Sequence, residues 1–480
     1  MKKIYALGFM ICIAGFATVT MAQVVPLDHA DAGVTVLIPD TILFGADVDM
    51  GKYWEPFTDV FGDGTLAFVA GAYPQGQTSG MNMKVAFFNV DGSIEEYWGF
   101  YGDAGSPFIG GLNEARKDGN PPRIATDRRP GGTRYAVGIE STPYLYSEFE
   151  SDGRWDKQFV YTANQIAAVQ LFNKTPNGPV PITKVIDPVY GQGNIAGVQN
   201  NQMRFGGDMR FLSDGNLIVV VEDRNKGVVP GGNAAVGTLF NGETGAVIKG
   251  PFNAAGDDQP HEIWSNMAPF DGGFAVRTQG IMTLYNNAAE VQHVVVQSDW
   301  TTVKDTGRGD GTRICSTITS DFVYILGNDD IGDMVLSRIN AKTAQADTQI
   351  VVNEEELWFN GTFGRGDCAI DEKGNICVAY VFNDGVQDQV VARIFGSNLE
   401  PAGPTFYAFT VHDRYDAASI MGYVSKEVNV SMNNQRIIIG ANGVTLDPNK
   451  NAITAAEQAF AVVLENPYKE ETSISTWDLY

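Results

Sequence analysis

From about residue 30 to residue 466 the chain repeats one local pattern: a short apolar run, a polar turn rich in Gly, Asp and Asn, then a second, denser apolar run. Met209–Val221 and Cys368–Tyr380 show it most plainly. Further copies lie at Met267–Val276, Ser316–Leu326 and Val428–Ile439, and around Asp63–Phe68 and Pro130–Val137. Apolar runs of this length bounded by turn formers predict strands. The two helical candidates, Thr162–Phe172 and Ala452–Leu464, read equally well as loop plus strand. The turns fall near residues 65, 133, 216, 273, 321, 375 and 435, so seven units recur. Their mean spacing is about 62 residues.

A second hairpin follows most units, as in Val85–Ser93, Ala168–Pro179, Gly237–Gly245 and Val391–Pro404. Two hairpins make four antiparallel strands, the content of one propeller blade. Blades stack face to face, which buries their middle strands on both sides and explains continuous runs such as Leu217–Val221. The seventh unit supplies only three strands, ending at Leu464 before Asn466-Pro467, whereas Gly33–Ile38 near the other end is a strand with no hairpin partner. The pattern therefore predicts an all-β, seven-bladed β-propeller of four-stranded antiparallel blades, its ring closed by strand 33–38 joining the last blade. Otherwise each end would leave an exposed sheet edge. Six or eight blades are the near alternatives, since Tyr146–Phe159 holds material for another hairpin. Two β-sandwiches split near residue 200 are the other. In repeat shape, over most of residues 30–466, the chain resembles divergent secreted bacterial β-propellers. The resemblance implies a fold and no activity, since propellers host both catalysts and binding platforms.

Charge and the N-terminus set the compartment. Met1-Lys2-Lys3 and the apolar Ile4–Thr20 read as a secretory leader, with Thr20-Met21-Ala22 placing small residues at the cleavage site. The expected organisation is a signal peptide at 1–22, a lead-in with the closing strand at 23–48, the propeller at 49–466 and a polar tail at 467–480. The full chain carries a net charge of −24, and removing Lys2 and Lys3 leaves 31 cations against 57 acids, or −26. That disfavours duplex nucleic acid and anionic lipid, which bind through cationic neutralisation of phosphate. A secreted protein, extracellular or periplasmic, with no membrane insertion after leader cleavage is the expectation.

Candidate chemistry is sparse. There is no G-x-S-x-G elbow and no P-loop, and the four histidines (His29, His261, His293, His412) form no ligand-spaced pair. Thr244-Gly245 resembles a turn of quinone-dependent dehydrogenase propellers, but it occurs once and Ile248 stands where those enzymes place Trp. Calcium is the metal candidate, because hard cations want clustered oxygens. Asp59 and Asp63, and Asp329, Asp330 and Asp333, are the proposed ligands, with Asx turns capping hairpins as the alternative. Trp54, Trp264, Trp300 and Trp358 precede inner-strand turns and are candidates for a ligand-stacking platform on one face, or for plugs between blades. Cys368 and Cys377 flank a hairpin, and a register pairing residue 370 with 375 would oppose them within disulfide reach. Two buried thiols are the other reading.

These features support a non-catalytic binding or scaffold protein at the cell surface or in the extracellular matrix, with an extracellular protein or polysaccharide as partner. The competing class is an extracellular polysaccharide-active hydrolase or lyase with its site on the axial face.

Overall fold

The computed structural model describes residues 25–42, 48–49, 56–74, 82–101, 122–141, 166–186, 188–189, 203–223, 229, 235–255, 266–278, 281–296, 313–329, 333–354, 366–383, 388–409, 415–416, 428–445 and 458–469. Among these, the strands form seven antiparallel sheets, five of four strands and two of five, each built on a four-stranded antiparallel meander that is consecutive in the chain in six of them. Blades one to six span 57–98, 123–181, 203–253, 266–296, 313–351 and 366–407. The protein is a seven-bladed β-propeller. All seven inner turns fall where the repeat places them, and the described parts of both helical candidates are strand, within Ile166–Thr175 and Gln458–Glu465.

Blade seven is built from both ends of the chain. Val428–Met432, Arg436–Thr445 and Gln458–Glu465 form its first three strands, and Val36–Ile42 is the fourth. Val36 opposes Leu464 and Ile38 opposes Val463. The closing strand therefore lies about three residues downstream of the predicted 33–38, and two register shifts interrupt it. Upstream, the lead-in clasps blade six. Leu27 donates its amide to Thr405 O at 3.0 Å and accepts from Tyr407 N at 2.9 Å, beside the outer strand Phe406–Tyr407.

The core is not one cluster but seven, one at each joint between neighbouring blades. Period-2 alternation decides which joint a residue serves. Leu66, Phe68 and Ala70 face blade seven, while Ala67 and Val69, between them in sequence, face blade two. Both faces of the strand are apolar because both are interfaces, which is why the runs are continuous. Outer strands lose one such neighbour and become polar, as the exposed Val247–Asn253 shows against the buried Ala235–Phe240.

Polar bonds lock the joints at the inner rim. The innermost strand of each blade has an unpaired edge, whose amides need acceptors once buried. Asp367 of blade six accepts the Val430 amide of blade seven at 3.0 Å, and Asn429 of blade seven accepts the Thr58 amide of blade one at 2.8 Å. These side chains occupy equivalent positions, one strand residue ahead of the amide's counterpart in their own blades. On the turn face Arg436 of blade seven donates to the carbonyls of Gly64, Phe88 and Asn89 in blade one.

Candidate functional site: the axial cavity

The inner strands of blades one and three to seven surround a cavity on the propeller axis, with Arg128 closing it from blade two. It offers about 40 Å³ to solvent. Three arginines line it, Arg128, Arg210 and Arg313, together with Asp59 and Asp367 and the polar side chains of Asn266, Asn429 and Ser431. With Asp208 beside Arg210, the described guanidiniums and carboxylates at the axis number three each.

Two of the arginines are paired. Arg128 donates through Nε and Nη2 to Asp59 Oδ1 at 3.0 and 2.8 Å. Asp59 also accepts the amides of Val60 and, across the joint, Thr126, at 2.9 and 2.8 Å. Arg210 binds Asp208 through both carboxylate oxygens at 2.9 Å, the fork geometry in which guanidinium and carboxylate match. Its guanidinium also lies 5.0 Å from the Phe57 ring centre, and that of Arg123 lies 4.9 Å from it. Arg313 differs. Its one hydrogen bond among the described residues is to a neutral amide, Asn266 Oδ1, at 3.2 Å. Asp367, beyond ion-pair distance, has its carboxyl pushed above the usual carboxylate range by burial, against the pull of Arg313 and Arg210.

The residues singled out in the sequence fare differently. Trp54, Trp264, Trp300, Trp358 and Asp330 lie outside the described residues. Asp59 sits at the axis, engaged as above. Asp63 lies on the turn face, accepting Lys174 Nζ at 2.7 Å and the Thr65 amide at 2.8 Å. Asp329 Oδ1 accepts the Asp333 amide at 2.9 Å, and Asp333 Oδ1 accepts from Asn353 Nδ2 at 3.2 Å. Each carboxylate thus caps a turn or a joint. Among the described residues no three His, Cys, Asp or Glu side chains group as a metal site.

The disulfide expectation is corrected. Cys315, Cys368 and Cys377 are free and buried. Gly374 adopts φ +88°, adding a bulge residue to the hairpin, so Ile370 pairs with Ile376 and Cys377 opposes Ala369, not Cys368. The two thiols then point to opposite faces of the blade, Cys377 toward blade seven and Cys368 toward blade five.

The axial arginines were not singled out by the sequence reading. The available signal was a charged residue inside an inner-strand segment. Asp208 and Asp367, each seven residues before a turn glycine, and Arg210 and Arg313 all meet that description.

No family model and no curated protein matches the chain. Solved propeller structures do. A protein of unknown function from Dyadobacter fermentans aligns at 9% identity and TM-score 0.43, covering 90% of this chain and 99% of its own. The intramolecular trans-sialidase of Ruminococcus gnavus aligns at 8% identity and TM-score 0.42, over 88% and 97%. The β-propeller domain of the Trilobed protease from Pyrococcus furiosus aligns at 9% and 0.40, over 87% and 94%. Likenesses this distant concern chain topology and carry nothing about activity.

Proposed function

We propose that the protein is an exported, non-catalytic propeller that binds an extracellular protein or polysaccharide through the loops leading into its inner strands. The blades act as the rigid frame that holds those loops. The observation that carries this reading is the occupation of the axial carboxylates. Asp59 and Asp208 are each held by a guanidinium and backbone amides, and the cavity beside them offers only about 40 Å³. Glycoside hydrolysis needs two carboxyl groups on either side of a sugar, roughly 5.5 Å apart or roughly 6.5–9.5 Å apart. Asp59 and Asp208 already spend their oxygens on guanidinium and amide donors. The basic, apolar leader and the strongly acidic mature chain support export.

One feature favours the rival hydrolase reading. Asp367 is a buried carboxyl whose proton is held to higher pH than usual, as a general acid requires. A single assay separates the two. Residues 23–480 would be screened on a glycan array, with and without calcium, while soluble sugar products are measured. Binding without released sugar supports the binding reading. Released sugar that disappears in Asp367→Asn would replace it with the hydrolase.

A further inference from the structure

We propose that Cys315 and Cys368 are a redox pair: hydrogen peroxide oxidises the two thiols to a disulfide that staples blade five to blade six. The proposal rests on this joint alone and does not depend on what the loop face binds.

The two residues stand on neighbouring innermost strands, Arg313–Cys315 and Gly366–Ile370. Directly opposed residues of an antiparallel pair share one face of the sheet. Cys315 opposes Tyr324 and Cys368 opposes Val378, and all four side chains belong to the single apolar cluster between blades five and six. The thiols thus enter the same joint from its two sides, and Cys315 is a hydrogen-bond partner of the Cys368 thiol. A disulfide requires side chains directed at each other as well as sulfurs brought to about 2.05 Å. The facing strands supply the direction before any oxidation. Cys377 is the contrast within the same blade. It opposes Ala369 on the other face and packs toward blade seven, in a cluster that holds no second thiol.

Burial, then the Cys315 thiol and the Asp367 charge, push the Cys368 thiol up, against the pull of Arg313. The pair therefore rests as two thiols at neutral pH, and bulky thiolate-seeking reagents find little to attack. Both cysteines nonetheless line the axial cavity, where a molecule of two heavy atoms reaches them without parting the blades. One sulfur takes an oxygen from the peroxide, giving a sulfenic acid and one water. The second sulfur attacks the sulfenic sulfur and displaces its oxygen as a second water. The two thiols lose two protons and two electrons, and one peroxide becomes two waters. The new bond fixes blade five to its neighbour at the axis.

Peptide mapping tests this directly. Folded protein of residues 23–480 would be incubated with millimolar hydrogen peroxide, quenched with catalase, unfolded, alkylated and digested with trypsin under non-reducing conditions. Trypsin cuts after Arg313, Arg365 and Lys373, so the three cysteines fall in separate peptides. The expected product joins the Cys315 and Cys368 peptides, two hydrogens lighter than their sum, and leaves Cys377 alkylated. Its formation should be faster at pH 9 than at pH 7, since thiolate is the attacking form. The thiol count after unfolding should fall from three to one and return to three with dithiothreitol. The thermal midpoint should rise by a few degrees on oxidation and fall back on reduction, because the cross-link restricts the unfolded chain. Cys377→Ser should form the same bond, whereas Cys315→Ser and Cys368→Ser should form none. Should either of these last variants fail to fold, the wild-type map still decides the matter. Folded wild-type protein that yields no joined Cys315 and Cys368 peptides, a bond that includes Cys377, or sulfinic acid in place of the disulfide would each overturn the proposal.

Discussion

Asn429 Oδ1 accepts two hydrogen bonds from Thr58, one from its amide and one from its hydroxyl, both at 2.8 Å, across the joint where the last blade meets the first. The two residues are 371 positions apart in sequence. Both are buried, so the amide of Thr58 has no water to fall back on. Asn429→Ala should therefore cost about 1–3 kcal/mol, the penalty of an unsatisfied buried donor. Asn429→Asp keeps the acceptor and should cost less. Urea unfolding of the two variants measures the difference, and equal midpoints for Ala and wild type would show that the seam is held elsewhere.

The closing strand makes a sharper test, because its exposure alternates strictly. Val34, Val36 and Ile38 are half-buried against blade seven and its neighbours, whereas Leu37 is 42% exposed. A charge on the inner face must be buried or must peel the strand away. Ile38→Asp should destabilise by about 2–3 kcal/mol, from lost apolar burial and the new charge. Leu37→Asp should stay within about 0.5 kcal/mol. Thermal denaturation of the pair is the check. A similar loss in both would mean that the strand is not docked in this register.

How much of this was legible follows from which interactions are local. The hairpin turns were readable because Asp and Gly do their work within five residues: Asp371 Oδ1 takes the amides of Lys373 and Asn375, and Gly374 supplies the left-handed φ. Ring closure was readable by counting, since three strands at one end and one spare at the other make four. The register at Cys368 and Cys377 was not, because one bulge residue moves every later pairing by a position. Nor was the axial cluster. Its members come from all seven blades, and nothing within any one repeat tells whether Arg210 faces Asp208 or solvent.

The thiols should be inert in the native protein. Burial pushes the Cys377 and Cys368 thiols up, so the reactive thiolate is scarce at neutral pH and sheltered as well. Mature protein exposed to a thiol reagent at pH 8 should react slowly or not at all. After denaturation three equivalents should titrate without reductant, since Cys315, Cys368 and Cys377 are all free. One reactive thiol in place of three after unfolding would reveal a disulfide.

Asp367 sets a pH dependence whose sign is opposite to that of an ordinary paired carboxylate. Burial raises its folded value above the 3.8 of a solvated Asp, and the opposing pull of Arg313 and the Val430 and Cys368 amides does not cancel this. The folded protein thus holds this proton where the unfolded chain has released it. The stabilising contribution is fully present below the unfolded value and is lost as pH rises through the folded one. Asp367→Asn removes the titration and keeps an oxygen for the Val430 amide. Its stability relative to wild type should therefore rise between about pH 4 and the folded value of Asp367, then level off. Urea midpoints for the two proteins from pH 3.5 to 7.5 supply the comparison. A difference that is flat with pH, or that falls, would mean that Arg313 already holds the carboxylate in its charged form.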